Sequence, residues 1–273
     1  MIDYLSAVFL GLVQGLTEFL PISSSGHLVI LHNVLPLELH DDLSFDVILH
    51  FGTLVALLIY FYKDIITYFS AFFKGLISSD LRNNECQKIA WFILIAALPA
   101  GLFGFLLEDK AESIFRSPIL VGLMLILVGF LFLVIEKSSE KIKDIKEMGF
   151  FSALIIGFAQ ALALIPGVSR SGITILAGLT LKLKREAAAK FSFLLSIPVI
   201  FGAVIKRVAD FIFQDVTSHE LKIYTLGFAI SFISGYLTIR FLLNYLRKHP
   251  LNIFAYYRFI LGVGVILYFL FIR

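Results

Sequence analysis

Glu18, Ser23, Ser24, Ser25 and His27 lie close together in a stretch that is otherwise almost wholly apolar. This set offers a carboxylate, three hydroxyls and an imidazole. An imidazole with an unperturbed pKa of ~6.5 is suited to act as general base, general acid or nucleophile near neutrality. A serine hydroxyl beside a base is a second nucleophile design. Glu18 could orient His27, hold a divalent cation or accept a proton. Farther along, Ser169, Arg170 and Ser171 bring two more hydroxyls and a guanidinium, whose planar fork matches the oxygens of a phosphate. The combined chemistry is that of gripping an oxyanion, phosphate first among them, while moving a proton. No GxxxxGK loop is present, so a Walker-type nucleotide site is excluded.

The surroundings of these residues fix where such a site must be. Of 273 residues, 59% are hydrophobic and 16% are charged, and the mean hydropathy is +0.93. A soluble domain carries about 25% charged residues. The long apolar runs therefore describe an all-α polytopic membrane protein, in which helices satisfy every backbone group inside the lipid. The length leaves no room for a separate soluble domain, so a single integral membrane domain over 1–273 is expected. The net charge of +3 says little, and its basic residues sit in short segments between apolar runs, which argues against nucleic acid as a partner. Cys86 is the only cysteine, so intrachain disulfides, CxxC pairs and zinc clusters are excluded. The N-terminal stretch lacks the basic region and A-x-A site of a cleavable leader.

Six segments approach the ~20 apolar residues that a spanning helix needs: 46–62, 89–107, 118–136, 187–206, 223–243 and 253–271. Two more apolar stretches, 4–35 and 150–181, are broken at "PISSSG" and "PGVSRSG". Basic residues cluster in 63–88, 137–149, 182–190 and 244–252, whereas 108–117 and 207–222 carry more acid. The positive-inside rule puts the four basic segments on one side. That requires each broken stretch to be a re-entrant hairpin that returns to its starting face, with both termini outside. Laying 11–26 over 157–172 matches Gly11/Gly157, Gln14/Gln160, Leu16/Leu162, Ser23/Ser169, Ser25/Ser171 and Gly26/Gly172. Each half, 1–136 and 150–273, then holds one hairpin and three spans. An odd number of crossings makes the pair an inverted repeat, whose broken helices usually meet near the bilayer midplane.

The serines should precede short helices starting near His27 and Ile173. Free N–H groups at two facing helix starts bind anions. Gln14 shares a helix face with Glu18, and Gln160 is its counterpart. Leu164 replaces Glu18 in the second copy, while Arg170 replaces Ser24, so acid and imidazole belong to one half and guanidinium to the other. Other polar residues within apolar runs are read as structural. His50 could touch the site but is read first as bonding a neighbour, Ser192 and Ser196 bond across helices, and Arg258 in "YYRF" anchors an interface. His32, His40, His219 and His249 face water or headgroups. A polar core that only pins the hairpins together is the plain alternative to a site.

With these residues in view, the sequence resembles the bacterial undecaprenyl-diphosphate phosphatase family, the type linked to bacitracin resistance. "QGLTEFLPISSSGH" resembles its (E/Q)-x-x-x-E segment with the Ser-rich loop and histidine, and "PGVSRSGIT" its P-G-x-S-R-S-x-x-T segment. The likeness covers essentially the whole chain. It implies hydrolysis of undecaprenyl diphosphate to the monophosphate and phosphate, which recycles the lipid carrier of cell-wall glycan assembly in the bacterial cytoplasmic (inner) membrane, at a site open to the outer face. It assigns catalysis to Glu18, Ser24, His27 and Arg170. Substrate contacts fall to Gln14, Ser23, Ser25, Gly26, Gln160, Ser169, Ser171, Gly172 and Thr174. It also implies help from Mg²⁺ or Ca²⁺, for which Glu18 is the candidate ligand, shared with the diphosphate. Gln14 stands where many members have Glu, which weakens any scheme with two carboxylates on one metal. The expected partners are undecaprenyl diphosphate and membrane lipid, with a homodimer left open. An inverted-repeat transporter or flippase for an anionic prenyl phosphate lipid is the competing reading. It accounts for the broken helices and Arg170 but has no need of Glu18 with His27.

Overall fold

A computed structural model describes residues 2–34, 42–78, 84–113, 117–212 and 217–271 of the chain. His40, Arg82 and Asp215 lie outside the described residues, as do the side chains of Glu108, Asp109, Glu112, Arg207 and Asp210. The described residues form α1 (Ile2–Phe19), α2 (Ser24–Val34), α3 (Asp42–Tyr60), α4 (Tyr62–Ser78), α5 (Glu85–Ser113) and α6 (Pro118–Ser138). A 3-10 turn (Ile145–Glu147) leads into α7 (Phe150–Leu162), α8 (Arg170–Thr180), α9 (Arg185–Ile212), α10 (Ser218–Leu246) and α11 (Asn252–Phe271). The fold is an all-α polytopic membrane protein.

The helices α5, α6, α9, α10 and α11 are each long and apolar enough to cross a membrane. A sixth candidate is the pair of α3 and α4, which is long and apolar enough only when taken together and bends through 77° between them. The sequence reading took α4 for a connecting basic segment. It is a helix instead, with Ile66, Phe69 and Phe73 exposed while Tyr68 and Ala71 are buried. Large apolar side chains such as Phe105, Phe151, Ile260 and Phe271 are more than three-quarters exposed. Patches of that kind in water would mark an aggregation liability; here they are a lipid-facing surface. Starts and stops follow local chemistry. Pro118 opens α6, where its missing N–H costs nothing. Thr217 and Glu220 form a reciprocal capping box on α10.

Ion pairs gather the four basic segments at one end of the bundle. Lys190 meets Asp64 at 2.7 Å, Lys146 meets Glu85 at 2.7 Å, Lys182 meets Glu140 at 2.7 Å, and Lys184 meets Asp144 at 2.8 Å. Arg247 reaches Glu186 at 2.6 Å. At the centre, Glu136 accepts from both Arg185 Nε and Nη2, lies 3.6 Å from Lys141, and receives the Leu251 N–H. The other end is marked by His219, at the start of α10, which sits 3.2 Å from Asp3 at the start of α1. Thus α1 enters from the His219 end and α7 from the basic end, next to the 3-10 turn that carries Lys146.

Small residues let the hairpin helices approach the spans. A Cβ on Gly15 would lie 1.9 Å from Ser234 Oγ on α10, and one on Gly157 would lie 2.5 Å from the Ala96 carbonyl oxygen on α5. Such close small-residue seams are how helices associate in lipid, where apolar side chains gain nothing by leaving it.

Candidate active site

The two bends are built alike. Ser23 and Ser169 adopt φ of +77° and +74°, a left-handed conformation that costs a non-glycine residue energy. Each then turns its hydroxyl back as a cap: Ser23 Oγ accepts the Gly26 N–H at 3.2 Å and Ser169 Oγ accepts the Gly172 N–H at 3.1 Å. The helices therefore begin at Ser24 and Arg170, three residues earlier than expected at each start, because the serine caps lie one residue before them. Gly26 and Gly172 spend their N–H groups on these caps and are not free to meet a ligand. By helix geometry, the first-turn N–H groups of residues 24, 25, 170 and 171 have no intrahelical acceptor. Ser23 Oγ also accepts the Gly167 N–H at 3.1 Å, and Ser171 Oγ donates to the Leu20 carbonyl at 3.2 Å, so the two bends are stitched together.

Glu18 sits at the end of α1, buried to 5% exposure. Its Oε1 accepts from Arg170 Nη2 at 2.6 Å, and its Oε2 accepts from Ser24 Oγ at 2.6 Å and Gln14 Nε2 at 3.0 Å. The ion pair joins side chains 15% and 4% exposed. Separating such a pair leaves an uncompensated charge, typically costing 3 kcal/mol or more, ~3–5 kcal/mol. Arg170 Nη1 is buried and meets no hydrogen-bond partner among the described residues, so half of the guanidinium fork is unused there.

The imidazole next to Glu18 is not His27. The His27 Nδ1 lies 2.7 Å from the Ser23 carbonyl, which can only accept, so Nδ1 carries a proton there. Its Nε2 lies 2.7 Å from the Tyr257 hydroxyl, and the two rings stack. The ring beside Glu18 is that of His50, with Nε2 at 3.6 Å from Glu18 Oε2 and Nδ1 at 2.7 Å from the Asp46 carbonyl. The expected acid–imidazole pair of Glu18 and His27 is thus replaced by Glu18 and His50. A bend of only four residues between α1 and α2 turns His27 toward α11, while α3 delivers His50 from the side. His32 also departs from expectation: it is largely buried and bonds Asp46 at 3.2 Å.

Ser24, Ser25, His27, His50 and Arg170 are partly exposed and rim the site. Gln14, Glu18, Ser23, Ser169 and Ser171 form a buried layer behind them. Thr174 and Gln160 stand apart. The Thr174 hydroxyl is 2.7 Å from the Arg170 carbonyl and 2.6 Å from Ser192 Oγ, tying α8 to α9. Gln160 is buried, and neither of its side-chain polar atoms meets a hydrogen-bond partner among the described residues.

Arg258 was read as an interface anchor, and the structure corrects this: it is wholly buried, and its guanidinium lies under both bends. Nη1 donates to the Pro21 carbonyl at 3.1 Å. Nη2 donates to Gly167 at 2.6 Å and Val168 at 3.1 Å, and Nε donates to Leu125 at 3.2 Å. The signal was available, since an arginine inside an apolar span marks a functional position by default. The flanking tyrosines disguised it as part of an aromatic belt.

Among the described residues, no group of three or more His, Cys, Asp or Glu side chains could hold a metal ion. Glu18 is the one carboxylate at the bends, and both of its oxygens already accept from Arg170, Ser24 and Gln14. These residues do not build a Mg²⁺ or Ca²⁺ site by themselves.

The family model described as "Bacitracin resistance protein BacA" matches residues 7–264. A protein named undecaprenyl-diphosphatase from Rubrobacter xylanophilus is 45% identical over 266 residues, covering 97% of this chain and 98% of the relative. Proteins of the same name from Methanosphaera stadtmanae and Caldicellulosiruptor bescii are each 43% identical, covering 98% and 97% of this chain and the same shares of their own lengths. The chain belongs to the bacitracin resistance protein BacA family.

Proposed function

We infer that this chain hydrolyses undecaprenyl diphosphate to undecaprenyl phosphate and inorganic phosphate, returning the lipid carrier to cell-wall glycan synthesis. The observation that carries the reading is the Ser24–Glu18–Arg170 cluster, set among full-length relatives that bear the name undecaprenyl-diphosphatase. In the proposed reaction Ser24 Oγ attacks the terminal phosphorus and gives its proton to Glu18 Oε2, 2.6 Å away. The bond from phosphorus to the bridging oxygen breaks, and undecaprenyl phosphate leaves with the electron pair. Water then attacks the phosphoserine phosphorus, the bond from phosphorus to Ser24 Oγ breaks, Glu18 returns its proton to Oγ, and inorganic phosphate leaves with the protons of the water. Arg170 holds Glu18 with Nη2 and turns Nη1 to the phosphoryl oxygens, which gain charge in the transition state. Ser25 and the first-turn N–H groups complete the cradle.

His27 rims the cradle and, once Nε2 is also protonated and released from Tyr257, donates from that nitrogen to a phosphate oxygen; Ser24 is the nucleophile because it, and not His27, meets Glu18. Gln14 and His50 hold Glu18 in place. The two hairpins enter from opposite ends, α1 packs on α10 as α7 packs on α5, and this exchange supports an inverted repeat of 1–136 with 150–273. In this reading the chain lies in the inner membrane with the basic end in the cytoplasm and the His219 end outward; the positive-inside rule supports that orientation. Access of the diphosphate from the outer face is part of this reading. The ~55-carbon tail stays in hydrocarbon beside the apolar helix faces. Phosphate release from undecaprenyl diphosphate by the purified chain in detergent, where there are no sides to transport between, is the test. Transport of an anionic lipid in vesicles with no release in detergent would sink the hydrolase reading.

A further inference from the structure

We propose that Arg258 is a positioning residue of this reaction: one guanidinium on α11 sets the spacing of the two bends that carry Ser24 and Arg170. The proposal rests on the site described under the proposed function. Its motive is that Arg258 reaches both bends at once, through Pro21 on the first and Gly167 and Val168 on the second, and anchors itself to α6 through Leu125. Every acceptor it meets among the described residues is a carbonyl oxygen; no carboxylate cancels its charge. The bends need such a tie. Ser23, Gly167 and Ser169 all hold φ between +74° and +95°. Backbone of this kind persists only where its surroundings over-determine it.

The polarity of the contact also bears on the anion. The Val168 carbonyl shares its peptide unit with the Ser169 N–H, which in a trans peptide points the opposite way. A cation on the carbonyl polarises that unit and strengthens its N–H as a donor. The reach of Arg258 depends on a close crossing. Gly122 of α6 and Gly262 of α11 face one another, and a Cβ on either would meet the other's carbonyl oxygen at 2.9 or 2.7 Å. Gly262 lies one turn beyond Arg258 on α11.

The experiment uses the full chain in detergent, with undecaprenyl diphosphate as substrate, comparing the parent with Arg258→Met, Arg258→Lys and the control Arg170→Ala. Misplacement of reacting groups by about 1 Å costs on the order of 100-fold in rate. Arg258→Met is expected to lose about 100-fold in kcat, with KM within about threefold and a monodisperse, cooperatively melting protein. Arg258→Lys keeps the charge but not the fork, and is expected to regain no more than about tenfold of that loss. Parent-like kcat in folded Arg258→Met or Arg258→Lys overturns the proposal. So does a loss that only tracks the fraction unfolded. If Arg258→Met does not fold, Arg258→Lys decides: folded with kcat depressed and KM kept supports it, and failure of both to fold reduces Arg258 to a structural role. Activity retained by Arg170→Ala would instead overturn the site itself.

Discussion

Glu18 and Arg170 come from hairpins that enter the bundle from opposite ends, yet their side chains meet at 2.6 Å. The contact divides the labour. Glu18 Oε2 faces Ser24, Oε1 faces Arg170, and Arg170 Nη1 is left over. Glu18→Gln and Arg170→Ala should each lower phosphate release by about 100-fold or more, the scale seen when one preorganised charge-stabilising group is removed. The double variant should lose little beyond the worse single, since the two act as a unit. Measured kcat values that multiply in the double variant would show that they act independently.

How the pair was legible in sequence, and the His27 contact was not, has a physical reason. Spacing along a helix is fixed, so Gln14 and Glu18 were placed on one face correctly, and they hydrogen-bond at 3.0 Å. The likeness of the two bends was legible because the same Ser-x-Ser-Gly chemistry makes the same cap twice, at Ser23 and Ser169. What the linear pattern lacks is the rotation of α2 after the bend, and with it the choice of His50 over His27 as neighbour of Glu18. The bend of α3 into α4 was also hidden: the polar side chains of α4, among them Lys63, Asp64 and Lys74, made it read as a loop. Arg258 stood out as an arginine inside an apolar span, but its partners are backbone carbonyls from residues far away in sequence, which no side-chain pattern announces.

Ser24 as nucleophile makes a chemical prediction. Stopping turnover in acid should trap phosphate on the chain as phosphoserine, stable to acid and lost in base. Ser24→Ala should trap none and release none, whereas His27→Ala should slow release and still form the adduct. An acid-labile adduct that vanishes in His27→Ala would move the attack to the imidazole.

Tyr257 competes for His27. Its hydroxyl is 2.7 Å from Nε2, the nitrogen that would turn toward a phosphate oxygen. Tyr257→Phe removes the competitor while Ser23 still holds Nδ1. Phosphate release should stay within about tenfold of the parent, against a loss of about 100-fold in His27→Ala, the scale of removing one donor that stabilises developing charge. Equal losses in the two variants would mean that the ring is held by Tyr257 and acts only through it.

Stability resides at the other end of the molecule from the His219–Asp3 contact. Glu136 gathers α6, α9 and the connection into α11 by accepting from Arg185 Nε at 2.9 Å and Nη2, from the Leu251 N–H at 3.4 Å, and by lying 3.6 Å from Lys141. The Glu136 side chain is 6% exposed and that of Arg185 26%. Glu136→Ala strands a partly buried guanidinium and should destabilise the chain by about 3 kcal/mol. A thermal melt in detergent should shift down accordingly, while the KM of the folded fraction stays at the parent value because Glu136 touches neither bend. Glu136→Ala with an unchanged melting temperature would mean that solvent already screens this cluster, and that the basic end is held by its exposed pairs and helix packing alone.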